Sequence, residues 1–166
     1  MPKLIVFGGL PGTGKSTIAR ALAEATGAVW LRIDTIETAI HASGVVPGSL
    51  DDAGYRVGYA VAEDNLRLGR DVIADSVNPW LLTRDAWRDV GLRAGADVIE
   101  VETVCSDPDE HRRRVETRMV DVPGLVPPTW TEVVGRDYRP WDRDRVAVDT
   151  AGRDLAACVA QILAAL

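Results

Sequence analysis

Residues 8–17 combine glycine, lysine and hydroxyl side chains at a spacing that suits phosphate chemistry. Gly9, Gly14, Lys15 and Ser16 fit the pattern G-x-x-x-x-G-K-[ST] without a mismatch. Glycines let the backbone curl so that successive amides point at phosphate oxygens. A lysine in this place neutralises the β- and γ-phosphates, and the serine hydroxyl can ligate Mg²⁺. The spacing therefore predicts a nucleoside triphosphate site.

The segments on either side of the motif favour a phosphate-binding loop over an ordinary glycine turn. The apolar run 4–7 precedes it as a candidate strand, and residues 16–25 follow it as a candidate helix. The start of that helix would add partial positive charge at the phosphates. The residues expected to bind the nucleotide are Gly9, Pro11, Gly12, Thr13, Gly14, Lys15, Ser16 and Thr17.

Three acids occupy the ends of candidate strands, where ligands of parallel α/β sheets bind: Asp34, Asp75 and Asp149, of which Asp149 could equally cap the last helix. Asp34 ends the strand 29–33 and could accept the proton of an attacking hydroxyl, or it could cap the helix 35–42 in a capping box with Glu37. Asp75 ends the buried strand 71–75 and could orient Mg²⁺, hold the acceptor or open a turn. We therefore predict a metal site at Ser16 and Asp75, and a general base at Asp34.

Polar and aromatic residues around these strand ends are the candidates for acceptor binding. Tyr55 lies on the predicted helix 55–68 behind the acidic pair 51–52, an arrangement that suits a polar or cationic acceptor. The side chains expected to contact the acceptor are Asp34, Arg32, Tyr55, Asp75, Asn78 and Arg84.

Basic residues cluster on the predicted helix 108–119. Arg114 and Arg118 are four residues apart, so on a helix they would share a face and could clamp a transferring phosphoryl group. The alternative is a solvated face that pairs with Glu110 and Glu116. Residues 120–141 contain four prolines and two glycines with little apolar periodicity, which predicts a long loop. We expect residues 112–141 to form a mobile lid.

Composition places the chain among ordinary globular proteins. Its 166 residues, 46% hydrophobic, predict a single domain over residues 1–166. No apolar run is long enough to span a bilayer, and the chain enters its first strand directly, so we expect no membrane association and no signal peptide. Two cysteines form neither a metal spacing nor a disulfide framework, which predicts a cytoplasmic protein. A net charge of −6 disfavours a large nucleic-acid surface.

Candidate strands and helices alternate along the whole chain. Further strands are expected over 97–104 and 145–149, and further helices over 82–94 and 154–166. Such alternation is typical of an α/β protein with a parallel sheet and crossover helices.

These motifs together resemble the small P-loop kinases that include chloramphenicol phosphotransferase, gluconate kinase, zeta-toxin kinases and the kinase domain of polynucleotide kinase. The resemblance rests on the segments 9–17, 32–34, 72–76 and 105–107 with the two arginines that follow, and so covers nearly the whole chain. It implies a three-layer fold with a five-stranded parallel sheet of order 2-3-1-4-5, Asp34 as the acceptor base and the arginines as a lid. Such kinases often carry an arginine soon after that acid, whereas here Thr35 to Thr38 follow it.

The sequence thus favours an ATP- and Mg²⁺-dependent kinase that phosphorylates a hydroxyl of a small molecule, with GTP not excluded as the donor. A 5′-hydroxyl polynucleotide kinase is one alternative, and it would need a basic track for the phosphates of its substrate. A nucleotide-binding regulator or toxin-like protein without small-molecule turnover is another.

Overall fold

Five parallel strands form the centre of the protein. The computed structural model describes residues 1–45 and 48–166. The strands are β1 (Lys3–Gly8), β2 (Val29–Arg32), β3 (Val72–Asp75), β4 (Asp97–Val104) and β5 (Val146–Asp149), in the order β2-β3-β1-β4-β5. Every neighbouring pair is parallel. The predicted sheet and its order are confirmed.

Helices cover both faces of this sheet, as a parallel sheet requires. They are α1 (Lys15–Thr26), α2 (Ile33–Ala42), α3 (Ala53–Arg67), α4 (Leu81–Ala94), α5 (Pro108–Thr117), α6 (Trp130–Val134) and α7 (Leu155–Leu163). Helices α1 and α7 bury Leu22 and Ile162 against Phe7, and helices α3 and α4 bury Leu66 and Trp87 against the other face. In the described part of the chain, no helix has the length and apolar character needed to cross a membrane.

Helix α2 begins two residues earlier than its sequence pattern predicts. Its first residue is Ile33, which is buried, and Gly58 of α3 leaves room for its side chain. Asp34 therefore lies in the first turn of the helix, and the residue at the N-cap is Arg32, which makes no side-chain capping bond. The predicted capping box of Asp34 and Glu37 is wrong, because burial of Ile33 sets the start of the helix.

Helix α5 ends one residue before Arg118, which has an extended backbone with φ −61° and ψ 135°. The chain then turns toward the sheet, where Val122 is buried and Asp121 contacts Arg32. Arg114 and Arg118 consequently do not share a helix face, and that prediction is wrong. Both residues still border the same cleft.

The predicted loop 120–141 contains a short helix and an anchored end. Thr129 and Glu132 form a capping box that begins α6 among the prolines. At the end of the segment, the guanidinium of Arg84 lies 4.2 Å from the ring centroid of Trp141. That guanidinium donates hydrogen bonds to the backbone carbonyls of Asn78, Pro79, Arg139 and Pro140.

The same contacts correct two predicted acceptor residues. Arg84 and Asn78 are both 0% exposed and do not border the cleft. Asn78 adopts a positive φ of 50° and donates from Nδ2 to the carbonyl of Phe7 at 3.0 Å. Asparagine tolerates this backbone conformation better than most residues. Both side chains donate to buried carbonyls outside the cleft, so their contacts fix loops.

Replacing Arg84 tests the anchoring role. We expect Arg84→Met to lower the free energy of unfolding by about 3 kcal/mol, since it leaves several buried carbonyls without donors. Arg112→Met, which breaks an exposed pair with Glu116 on α5, should cost less than about 1 kcal/mol. Urea denaturation of both variants measures the difference. Equal losses would contradict the anchoring role of Arg84.

Candidate active site

The loop between β1 and α1 has the backbone geometry of an anion cradle. Gly12 and Gly14 have φ of 84° and 88°, in the region that favours glycine. Gly14 is the N-cap of α1 and makes no side-chain capping bond, so the first amides of the helix have no partner within it. A Cβ at Gly9 would collide with Thr103 of β4. The loop therefore presents free amides and helix-dipole charge to an anion.

Other loop residues hold this shape and face away from the cleft. Thr13 is 3% exposed, donates from Oγ1 to the carbonyl of Leu10 at 2.8 Å and shares a hydrogen bond with Thr103. His111 of α5 lies 2.8 Å from the carbonyl oxygen of Pro11 through Nε2, and its ring packs edge-on against Trp130. Thr13 and Gly9 are placed to shape the loop, whereas Gly12 and residues 14–17 line the cleft.

Lys15 lies over the end of β3. Its Nζ is 3.4 Å from Oδ1 of Asp75, a carboxylate that is almost fully buried. The other oxygen of Asp75 accepts a hydrogen bond from the indole of Trp30 at 3.3 Å and lies 3.9 Å from Nε of Arg32. Asp75 does not itself border the cleft. The ammonium of Lys15 is thus paired with this carboxylate.

The residues near Lys15 fit a hydrated Mg²⁺ ion. Ser16 borders the cleft beside the free amides, and within the described part of the chain Oδ1 of Asp75, behind the cleft wall, accepts no hydrogen bond and contacts only the ammonium of Lys15. One hydroxyl and one carboxylate suit Mg²⁺, which keeps several waters and is completed by substrate phosphates. Among the described residues, no group of three acidic, histidine or cysteine side chains forms a metal site of its own.

Arg32 connects the end of β2 to the segment after α5. Its Nη1 donates to both carboxylate oxygens of Asp121, at 2.9 and 2.8 Å, while Arg32 itself is only 8% exposed. Burial acts to raise the pKa of Asp121, but the hydrogen bonds and charge of Arg32 outweigh it and hold that pKa below its ordinary value. This pair closes one side of the cleft.

The two arginines of the α5 region differ in what they contact. Arg114 donates to Oγ1 and to the carbonyl of Thr150, at 2.7 and 2.9 Å, and pairs with Glu110. Thr150 in turn donates to the carbonyl of Thr13 at 2.9 Å. Arg114 therefore ties α5 to the phosphate loop and to the turn after β5. Arg118 borders the cleft, and no ion pair or hydrogen bond to its side chain occurs among residues 1–45 and 48–166.

The opposite end of the cleft is lined by acids and aromatic rings. Asp34 and Glu37 project from α2, and Tyr55 from α3 faces them. Burial, then the charge of Asp34, raises the pKa of Glu37, and Arg136 partly counteracts this. Burial also raises the pKa of Tyr55, whose hydroxyl oxygen accepts a hydrogen bond from the amide of Asn78 at 3.2 Å.

One cleft of about 1520 Å³ joins the two ends. The sequence-predicted residues that it brings together are Gly12, Gly14, Lys15, Ser16, Thr17, Arg32, Asp34, Tyr55, Arg114 and Arg118, with Pro11 at its rim. Leu125 to Pro128 form the wall that follows α5.

Sequence reasoning missed the roles of His111, Asp121 and Thr150. Each contacts a partner at least 36 residues away, so no local pattern marks it. In the sequence, His111 stands beside an arginine cluster and therefore indicates a basic patch. It gives no sign of the contact with the phosphate loop.

Comparison with known proteins agrees with this geometry. Residues 4–127 match the AAA_33 family model, described as an AAA domain. The uncharacterized protein Rv2004c of Mycobacterium tuberculosis is 33% identical over 106 residues, which are 61% of this chain and 21% of that protein. This chain thus spans about a fifth of the length of the curated relatives that it matches.

Solved structures share its fold at low sequence identity. A gluconokinase from Sinorhizobium meliloti superposes with a TM-score of 0.67 at 23% identity, covering 98% of this chain and 90% of that one. The APS kinase CysC of Mycobacterium tuberculosis, solved with AMPPNP and APS, gives 0.72 at 20% identity, covering 98% and 96%. Kti12 of Chaetomium thermophilum, solved with ADP-AlF3, gives 0.69 at 21% identity, covering 98% of each chain.

The family match extends from β1 to the segment after α5 and so includes the phosphate loop, both strand-end carboxylates and the arginine helix. The chain belongs to the AAA_33 family and has the fold of the small P-loop kinases.

Proposed function

We propose that this protein transfers the γ-phosphoryl group of ATP, with Mg²⁺, to a hydroxyl of a small molecule. The observation that carries the proposal is the single cleft that joins the phosphate loop to Asp34. No hydrogen bond or ion pair within the described residues engages that carboxylate. A triphosphate cradle on one side and a free base on the other are the two requirements of a kinase.

The phosphate loop binds the nucleotide in this proposal. Lys15 exchanges its contact with Asp75 for the β- and γ-phosphates, and the amides of Gly14 to Thr17 donate to phosphate oxygens. Mg²⁺, when bound with the nucleotide, neutralises phosphate charge, and Ser16 is placed to hold it. In the free protein, the contact with Asp75 holds the Lys15 ammonium at the phosphate loop before the nucleotide binds.

The acceptor binds at the end of β2 and in the first turn of α2. The oxygen of the acceptor hydroxyl attacks the γ-phosphorus, and the bond between the γ-phosphorus and the oxygen that bridges it to the β-phosphorus breaks. Asp34 receives the proton of the acceptor hydroxyl during this step. Arg118 contacts the charge on the transferring group from the lid side, whereas Arg114 positions the loop through Thr150. Residues 112–117 lie on α5 and Trp141 packs on Arg84, so we expect only residues 118–135 of the predicted lid 112–141 to move and exclude water from this reaction.

Charge favours a small molecule over a polynucleotide. The chain carries a net charge of −6, and the acceptor end of the cleft is lined by Asp34, Glu37, Asp51 and Asp52. A polynucleotide would have to place its own phosphates against these carboxylates.

Turnover tests the proposal directly. We expect ADP release from ATP to be stimulated by a hydroxyl acceptor and to be lost, by at least about a hundredfold, in Lys15→Met, because the lysine contacts phosphates. Lys3→Met is the matched control, since Lys3 is the other lysine and lies at the far end of β1. Retention of turnover in a stably folded Lys15→Met protein would disprove the phosphate site.

The variant Asp34→Asn tests whether Asp34 acts as the catalytic base or only stabilises the fold. This isosteric change should lower phosphoryl transfer by about a hundredfold or more with little change in nucleotide affinity, since the base acts only on the acceptor. Asp64→Asn, at an exposed position of α3 outside the cleft, should have no effect. A lowered melting temperature at full activity would show that Asp34 serves the fold instead.

A further inference from the structure

We propose that the acceptor is a cation, a hydroxyl compound that carries an ammonium or guanidinium group beside the hydroxyl that is phosphorylated. This inference rests on the proposed kinase function and names the chemical class of its second substrate. It follows from the charges and hydrogen-bonding groups that remain unpaired at the acceptor end of the cleft.

Carboxylates without partners dominate that end. Asp34 and Glu37 border the cleft, and no lysine, arginine or histidine nitrogen among residues 1–45 and 48–166 lies within 4.0 Å of either one. Asp51 accepts a hydrogen bond from Ser49, and Asp52 forms only an exposed pair with Arg56 at 3.5 Å. The α2 and α3 sides of the cleft thus present negative charge toward the acceptor.

The nearby cations are paired, exposed or, in the case of Arg118, assigned to the transferring phosphoryl group in the proposed reaction. Both carboxylate oxygens of Asp121 engage Arg32, and Asp75 contacts it from the other side. An anionic acceptor would have to break this paired, nearly buried guanidinium away from Asp121. Arg136 faces Glu37 from beyond α6 but is exposed, so it offsets at most one of the acids.

Desolvation strengthens the preference for a cation. Helices α2 and α3 pack so that the side chain of Glu37 lies over Gly54, where a Cβ would overlap it. Burial and the neighbouring Asp34 raise the pKa of Glu37, because no nearby positive charge stabilises the ionised carboxylate fully. A ligand ammonium between these two carboxylates would supply that positive charge.

A second feature supports a polar ligand at this end. Ser76, directly after β3, borders the cleft and is 5% exposed. Its buried Oγ makes no hydrogen bond of good geometry to residues 1–45 and 48–166 and lies beside the hydroxyl of Tyr55, whose pKa it acts to lower. A buried hydroxyl without a partner costs free energy that a bound polar group can recover. The rings of Tyr55 and Trp80 border the same end, and aromatic faces attract cations.

Acceptors of matched size and different charge test the inference. We would measure ADP release with serinol, glycerol and glycerate, and with glucosamine, glucose and gluconate, at one pH and ionic strength. We expect kcat/KM for the amine of each set to exceed that of the neutral compound by about tenfold, and the acid to be the poorest, because one charge-assisted contact has this magnitude. A 5′-hydroxyl oligonucleotide is included as a polyanionic acceptor.

Each outcome supports or overturns the inference. Turnover confined to neutral or anionic acceptors, the oligonucleotide included, overturns the charge assignment but leaves the kinase function standing. No Lys15-dependent turnover with any acceptor class contradicts both. Preference for the amines that weakens as salt concentration rises supports the assignment.

Variants of Glu37 test whether this side chain is responsible for the preference for amine acceptors. Glu37→Gln should raise KM for the amines by about tenfold while changing KM for neutral acceptors and for ATP less than about twofold. Glu37→Lys should shift preference toward the acids. Asp89→Asn, at an exposed position of α4 outside the cleft, is the control. Equal effects of Glu37→Gln on amines and neutral acceptors would show that Glu37 acts through the fold, and would overturn its assignment.

Discussion

A buried carboxylate between two cations connects the parts of this protein. Asp75 is 2% exposed, and a charge so far from water must be paired or hydrogen-bonded. Lys15 from the phosphate loop and Arg32 from the end of β2 approach it from opposite sides. Arg32 also binds Asp121, which attaches the segment after α5. The phosphate loop, the end of β2 and the segment after α5 are therefore positioned by one electrostatic network.

The arginines of the chain divide into those that build loops and those that face the cleft. Arg84 and Arg114 donate mostly to backbone carbonyls and to Thr150, contacts that a planar guanidinium makes better than an ammonium can. Arg118 and Arg136 remain available at the two ends of the cleft. This division is consistent with a protein of net charge −6 whose cleft has a basic phosphate loop at one end and acids at the other.

Local patterns predicted the sheet and the phosphate loop, and tertiary contacts decided the rest. The strand runs and the loop 9–17 depend on neighbours in sequence and on a motif whose glycines have positive φ. The order of the sheet came from the resemblance to small P-loop kinases, and the structure has that order. The start of α2 depends on Ile33 packing against α3, and the end of α5 on Asp121 reaching Arg32. Arg84 and Asn78 follow a strand end and so were predicted as site residues. In the structure, both side chains donate hydrogen bonds to buried backbone carbonyls. The acids of the acceptor end were visible in the sequence, but their lack of partners was not.

In the proposed reaction, one cleft passes the γ-phosphoryl group of ATP from the phosphate loop to an acceptor hydroxyl. ³¹P nuclear magnetic resonance of the reaction with ATP, Mg²⁺ and a hydroxyl-bearing amine follows this transfer. We expect a new phosphomonoester resonance that grows as the γ-phosphate signal of ATP decays, with little inorganic phosphate. Release of inorganic phosphate alone, at a rate independent of every acceptor, would contradict it and would indicate a nucleotide-hydrolysing regulator instead.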